Sequence, residues 1–217
     1  MYVPKYFKKI EQSLIDEFVR HTDFAIIVNS ENNTPLATHI PIEIVQNGDD
    51  KFIYGHFARG NRQWRTFDAD QDVLVILAGP HTYVSPRWYN HINVPTWNYM
   101  VVHIYGKPRI IHERSELYAM VKRLVDKYEG NREVSKPYRL EALPEDFIEK
   151  EINGIVGFEI KVERMEANFK LSQNRNQEDS ETIISELRSS GEVNAAEVAD
   201  VMARNLPHLF GGIFEKE

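Results

Sequence analysis

The stretch FAIIVNSENNTPLATHIPIEIVQNGDDKFIYGH, residues 24–56, sets the architecture. Phe24–Asn29 is apolar, and Glu31-Asn32-Asn33 behind it is a hairpin-type turn signal, because asparagine tolerates left-handed backbone. Leu36–Gln46 reads as extended chain with Pro41 marking a bend or bulge. Asn47-Gly48 is a second turn and Lys51–His56 a further strand. Strand, tight turn, strand, tight turn, strand is the grammar of an antiparallel sheet.

Working outward, the same grammar continues. Glu11–Arg20 is a short amphipathic helix whose apolar face is Ile10, Leu14, Phe18 and Val19. A short helix near Asn61–Asp68 precedes a buried strand at Asp72–Ala78. Asn98–Gly106 and Ile155–Glu163 are strong strands, and Met165–Leu171 reads as a return strand. Five or six such strands on short turns predict an antiparallel sheet or a small closed barrel. Helices come late. Ser115–Glu129 places Leu117, Met120, Val121, Leu124, Val125 and Tyr128 at helical spacing, with Ser115 to cap it and Gly130 to stop it. Pro144-Glu145-Asp146 opens a shorter helix. The tail reads as helices over about Glu178–Ser189 and Asn194–Asn205, punctuated by Gly191 and Pro207, after a polar linker at Asn174–Ser180. The expected class is mainly β with added helices (α+β): a barrel domain over residues 1–175 and a helical C-terminal extension over 176–217.

Composition removes whole classes of function. The 217 residues suffice for one large domain without covalent staples, and there is no cysteine. Disulfide frameworks, thiolate metal sites, iron–sulfur clusters and a cysteine nucleophile are excluded together. The longest apolar run, Val73–Ala78, is too short to cross a bilayer. Met1–Ile10 has lysines with no apolar core behind them, so the absence of a secretory signal and a cytoplasmic location are expected. The net charge is −7, and residues 176–217 hold nine acidic and three basic side chains. No basic stripe of the kind that neutralises nucleic-acid phosphates appears.

Three stretches carry polar chemistry. Gly55-His56-Phe57-Ala58-Arg59-Gly60-Asn61-Arg62-Gln63-Trp64-Arg65 joins a strand to a helix start. Free backbone N–H groups at that start, with Arg59, Arg62 and Arg65, suit an anion; the alternative is a solvated arginine face. Gly79 to Tyr99 gathers Tyr83, Trp88, Tyr89, Trp97 and Tyr99 among three prolines and reads as a stiff aromatic loop. Such a loop forms a ligand wall, a dimer contact or its own packing over a barrel end. Phe169-Lys170-Leu171-Ser172-Gln173-Asn174 is a polar clamp or an ordinary strand end. His39, His56 and His103 sit in strands and His81 and His91 in the aromatic loop; none has zinc-protease spacing, and no metal site is expected. The nucleophile elbow, the phosphate loop and the dinucleotide fingerprint are all missing.

At these stretches the chain resembles the PaiB family, bacterial protease-synthase and sporulation negative regulatory proteins within the FMN-binding negative transcriptional regulators. The resemblance lies in Ala37-Thr38-His39-Ile40-Pro41, Gly55–Asn61 with Trp64, Gly79-Pro80-His81 with Tyr83–Pro86 and Trp88-Tyr89, Val94–Tyr99, Gly154–Glu159 and Lys170–Asn174. It implies an FMN-binding split β-barrel, a homodimer, a cytoplasmic bacterial setting and repression of degradative enzymes and sporulation. In the wider split-barrel group FMN lies at the dimer interface, its phosphate held by basic residues. The Ser-Arg-Lys phosphate motif of those relatives falls on Ala58-Arg59-Gly60: the arginine is kept, a hydroxyl and a charge are lost. His39 stands where they carry another phosphate-binding arginine.

The cofactor-site residues so implied are Arg59, Gly60, Asn61, His39 and Trp64, with Lys170, Ser172 and Gln173 in compensation. A negative transcriptional regulator that senses flavin is the leading expectation, with a DNA or protein partner and no membrane. An FMN-dependent oxidoreductase or flavin reductase is the alternative, a haem-binding split-barrel protein a minor one. A structural dimer whose flavin site has decayed is the fourth.

Overall fold

A computed structural model describes residues 1–68, 70–130 and 138–210, so the last seven residues of the expected extension lie outside it. Six strands, β1 (Phe24–Glu31), β2 (Thr34–Asn47), β3 (Asp50–Ala58), β4 (Val73–Val84), β5 (Thr96–Ile111) and β6 (Ile155–Lys170), form a closed barrel in the order β1-β2-β3-β6-β5-β4. Among the described residues five α-helices accompany them: α1 (Gln12–His21), α2 (Arg114–Glu129), α3 (Glu145–Asn153), α4 (Gln177–Ser189) and α5 (Val193–Phe210). The chain divides into two compact units. One comprises Asp23–Ile76 and Ile104–Met165; the other comprises Met1–Thr22, Leu77–His103 and the chain from Glu166 onward.

The first unit holds the hairpins. Glu31 pairs with Thr34 across Asn32-Asn33, whose φ angles of 49° and 63° are the left-handed pair a two-residue hairpin loop needs. Gly48 supplies the positive φ of the next loop. Alternation then buries Ala25, Ile27, Ile40, Ile42, Ile53, Phe57, Phe158 and Ile160. Gly55 is glycine for a packing reason: a Cβ there would come within 2.5 Å of the Phe158 ring, which itself packs on Phe57. On α2 and α3, Leu117, Met120 and Ile152 close over Ile111. Ser115 lies inside α2 rather than capping it; Glu113 holds the cap position in extended backbone and makes no side-chain cap bond.

In the second unit α4 packs along α5, burying Ile183, Ile184 and Leu187 with Ala195, Val198, Ala199 and Met202. Asn176 caps α4 by accepting from the Asp179 amide at 2.7 Å, so only part of the expected linker is irregular. Pro207 does not end the tail: α5 runs on to Phe210, because Asn205 and Leu206 are buried and hold the last turns. Asn205 accepts from the Glu11 amide at 3.1 Å, satisfying a start of α1 that has no side-chain cap of its own.

Three expectations about strand ends are corrected. Gly79–Val84 and Thr96–Tyr99 belong to β4 and β5, since Thr82, Val84, Asn98 and Met100 keep the buried alternation; the aromatic connection is only 85–95. The segment 155–170 is one strand, not two with a turn. The helix after Asn61 is a five-residue 3-10 turn, Arg62–Thr66.

Candidate functional site

The sequence-derived site residues fall into both units. In the first, Arg59 follows the last residue of β3 and is exposed. Its guanidinium is turned onto the end of α3 and the start of β6: Nε donates to the Asn153 carbonyl at 2.5 Å and Nη2 to the Ile155 carbonyl at 2.9 Å. A cation on the last carbonyls of a helix is favoured by their partial charge and relieves their missing partners. The Trp64 indole N–H donates back to the Arg59 carbonyl at 3.2 Å, and Arg65 lies over the Trp64 ring at 5.2 Å. The cavity beside them, bordered by Arg59, Trp64, His112, Leu117 and Val156, holds about 140 Å³. That is below the roughly 300 Å³ at which ligand pockets begin, so it does not by itself enclose a flavin ring.

The expected anion site at the helix start takes another form. Asn61 accepts from the Gln63 amide at 3.0 Å, and a single 3-10 turn has too few aligned peptides to build a helix field. The Asn61 amide also donates to Thr38 Oγ1 at 2.9 Å. Gly60 is surrounded by open space and has no positive φ, so neither packing nor backbone strain demands a glycine there. His39 is exposed on β2 and stacks on Phe24 at 6.5 Å between centroids.

Behind this loop is a residue the sequence reading passed over. Gln63 is only 4% exposed. Its Nε2 donates to the Ile27 carbonyl at 3.0 Å and to Asn29 Oδ1 at 2.9 Å, while its Oε1 accepts from the Thr38 hydroxyl at 2.5 Å. One amide thus ties the 3-10 turn to β1 and β2. The only signal for it in the sequence was an uncharged amide between two arginines and a tryptophan.

In the second unit the segment after β6 makes a tight turn. Ser172 has φ 62°, and the Arg175 amide donates to the Ser172 carbonyl at 2.9 Å. Ser172 and Asn98 exchange hydrogen bonds at 3.0 and 3.1 Å, both buried. Gln173 accepts from the Leu171 amide at 2.8 Å and donates to the Phe169 carbonyl. The polar atoms of Ser172 and Gln173 are therefore engaged within the turn. Lys170 is different. Its ammonium donates to Thr96 Oγ1 and lies 5.8 Å from the Phe7 ring centre. Burial, and then the nearby charge of Arg175, push its pKa below the usual lysine value. Arg175, which the reading did not single out, stacks on Tyr89 at 4.7 Å and donates to Asn93 Oδ1 at 3.3 Å.

The aromatic connection exposes Ile92 and Val94, and the start of β5 exposes Trp97, at 53%. Burial holds the pKa of both His56 and His103 below the ordinary imidazole value. Among the described residues no group of three histidine or acidic side chains is placed to hold a metal.

Strand order and added helices define a split β-barrel fold. The fold is similar to the conserved hypothetical protein Rv2991 from Mycobacterium tuberculosis, with a TM-score of 0.56 and 15% identity over 82% of this chain and 95% of that one. It is also similar to the flavocytochrome Anf3 from Azotobacter vinelandii, with a TM-score of 0.54 and 17% identity over 82% of this chain and 77% of that one. Residues 1–164 match the family described as "Putative FMN-binding domain". Over 206 residues the chain is 44% identical to the protease synthase and sporulation protein PAI 2 of Bacillus subtilis, covering 95% of this chain and 98% of that one. The chain belongs to this PaiB family of FMN-binding-domain proteins.

The donor set of the second unit fits the phosphate end of such a cofactor: two cations and a threonine hydroxyl, with no carboxylate paired to either cation among the described residues. At Arg59 the fit is weaker, because two of the three guanidinium nitrogens already serve backbone carbonyls.

Proposed function

We propose that this chain is a negative regulator of protease synthesis and sporulation that binds FMN and works as a cytoplasmic homodimer. The observation that carries the reading is the 44% identity to the Bacillus subtilis protein, which spans nearly the whole of both chains. The FMN-binding family match over residues 1–164 supports the ligand. FMN, when bound, supplies reversible one- and two-electron redox chemistry at its ring. The chain's part is to hold the phosphate with a cation, Lys170 or Arg59, while Ser172, Gln173, Asn61 and Trp64 fix the turns that carry those cations. Gly60 and His39 border the Arg59 turn.

Charge argues for indirect regulation. A chain of net charge −7 with an acidic C-terminal segment offers little to a phosphate backbone, so a protein partner or a bound ligand transmits the signal. Exposed Trp97, Val94 and Ile92 supply apolar area of the kind a dimer contact uses.

The test is the visible spectrum of the purified protein after loading with FMN and gel filtration. Retained flavin absorption, one per chain in a species of twice the monomer mass, is the expected result. A colourless protein refutes FMN binding. Oxidation of a nicotinamide by the loaded protein would transfer the reading to an FMN-dependent oxidoreductase. A DNA mobility shift at low salt would refute indirect regulation.

A further inference from the structure

We infer that Lys170 and Arg175 form a recognition site for a phosphate monoester, and that this site rather than Arg59 distinguishes FMN from riboflavin. The inference rests on the FMN reading for the identity of the ligand but on the chain's own geometry for the site.

The starting point is the pattern of ion pairs in an acidic protein. Arg188 pairs with Asp200 and Arg204 with Glu17 in the same unit. In the other unit Lys107, Arg109, Arg114, Lys122, Arg123 and Lys161 each have a carboxylate within 3.0 Å. Lys170 and Arg175 have none among the described residues, although both are partly buried. Other cations without a carboxylate, such as Arg59, Arg62 and Arg65, are exposed, whereas Lys170 and Arg175 are neighbours and partly buried. Their charges repel each other, and among the described residues the partners they have are neutral: Thr96 and Phe7 for Lys170, Asn93 and Tyr89 for Arg175.

The fold makes this arrangement rigid. Ser172 in left-handed backbone and the bond from the Arg175 amide to the Ser172 carbonyl close the turn between the two cations. Gln173 locks both the Leu171 amide and the Phe169 carbonyl, so residues 169–175 have little freedom to separate them. Thr96 brings a hydroxyl to the lysine ammonium, and a hydroxyl that accepts from lysine still has its own proton to donate to an anion. Tyr89, the ring beneath the Arg175 guanidinium, has a buried hydroxyl with no hydrogen-bond partner among the described residues. A buried phenol lacking a partner is costly and marks a place where an acceptor is missing. Two cations and a hydroxyl make a set that a phosphate dianion satisfies and a neutral alcohol does not. A planar guanidinium stacked on an aromatic keeps its in-plane N–H groups for a two-point contact with phosphate.

The test compares FMN with riboflavin by fluorescence titration of the full-length protein, alongside thermal melts with and without inorganic phosphate. The wild type should bind FMN about tenfold or more tightly than riboflavin, the preference two charge-assisted contacts give. The Lys170→Met/Arg175→Gln double variant should lose that ratio, Arg59→Gln should keep it, and Lys170→Arg should restore part of it. The double variant also loses the bonds of Lys170 to Thr96 and of Arg175 to Asn93, so its anion-free melt is the baseline from which its own phosphate response is read. A preference for FMN that survives in the double variant overturns the inference and leaves FMN binding standing. If neither flavin binds, the FMN reading fails by itself. The site is then tested by phosphate alone, which should raise the melting temperature of wild type and not of the double variant. Equal response of the two to phosphate overturns the site.

Discussion

Replacing Gln63 by methionine tests the idea that one buried amide holds the turn after β3. The side chain is nearly the same length, so volume is kept and only hydrogen bonding is lost. The amide makes three good bonds, to the Ile27 carbonyl, to Asn29 Oδ1 and with the Thr38 hydroxyl. A fourth contact, to the Leu36 carbonyl at 3.4 Å, is too long to count. At about 1 kcal/mol for each, the loss comes to about 3 kcal/mol. For a chain of this size that is a fall in Tm of roughly 6–12 °C. Thermal unfolding followed by tryptophan fluorescence reads it, and Trp64 reports from the next residue. Gln63→Glu sharpens the test. A carboxylate there would face the Ile27 carbonyl and Asn29 Oδ1, two acceptors, so its pKa in the folded state is raised and the folded state binds more protons than the unfolded one. Stability of this variant must then fall as pH rises from 4 to 7, relative to wild type. A Gln63→Met variant within about 3 °C of wild type, or a Gln63→Glu variant with no added pH slope, would show that water replaces the amide and that the network contributes nothing net.

Other outcomes follow from the same geometry. Arg59→Ala should cost about 1 kcal/mol through the carbonyls it leaves behind, discounted for exposure, whether or not any ligand is present; an unchanged melt would refute its capping of α3. Glu159 is raised by burial but lowered more by its bonds from Arg109 and Tyr54, so its net pKa lies below the ordinary value. Its contribution is therefore complete above the unfolded pKa and lost as pH falls through the folded one. The gap in Tm between wild type and Glu159→Gln should be widest at pH 7 and close near pH 3. His56 has its pKa lowered by burial, so the unfolded state takes up protons first and stability falls as pH drops below about 6.5. His56→Gln should flatten that slope between pH 7 and 5, and an unaltered slope would exclude His56 as its source. Asn176→Ala should lower stability by about 1 kcal/mol through loss of the α4 cap, measured by urea denaturation.

The hairpins were legible because their turns carry local chemistry: Asn32, Asn33 and Gly48 adopt the left-handed backbone that asparagine and glycine tolerate. The strand ends were not. Glycine, prolines and aromatics between Gly79 and Tyr99 look like loop composition, yet Thr82, Val84, Asn98 and Met100 continue the alternation that burial selects. Between Glu163 and Met165 no residue breaks a strand, and the apparent turn was a solvent face read as an interruption. Pro207 misled because a proline near a helix end costs less than the burial of Leu206 and its neighbours returns. At the candidate site the motif residues were found by type, but what each does depends on distant partners. Arg59 meets Asn153 and Ile155, about ninety residues on, and no local spacing announces that. Gln63 and Arg175 escaped because a buried amide and an unpaired cation are defined by their surroundings, which one sequence does not display.

The chain enters the second unit three times and the first unit twice, and β6 crosses from one to the other at Met165–Glu166. The genetic consequence is that neither unit is a contiguous gene segment. No single truncation, fusion or recombination break yields one without cutting the other, and a fragment ending at residue 164, where the family match stops, would sever β6 and discard Lys170. Insertions, deletions and domain shuffling are thereby confined to the outer ends and the hairpin tips. The two units must be inherited together, and a lineage that dispensed with flavin would still have to keep the turn that carries Lys170.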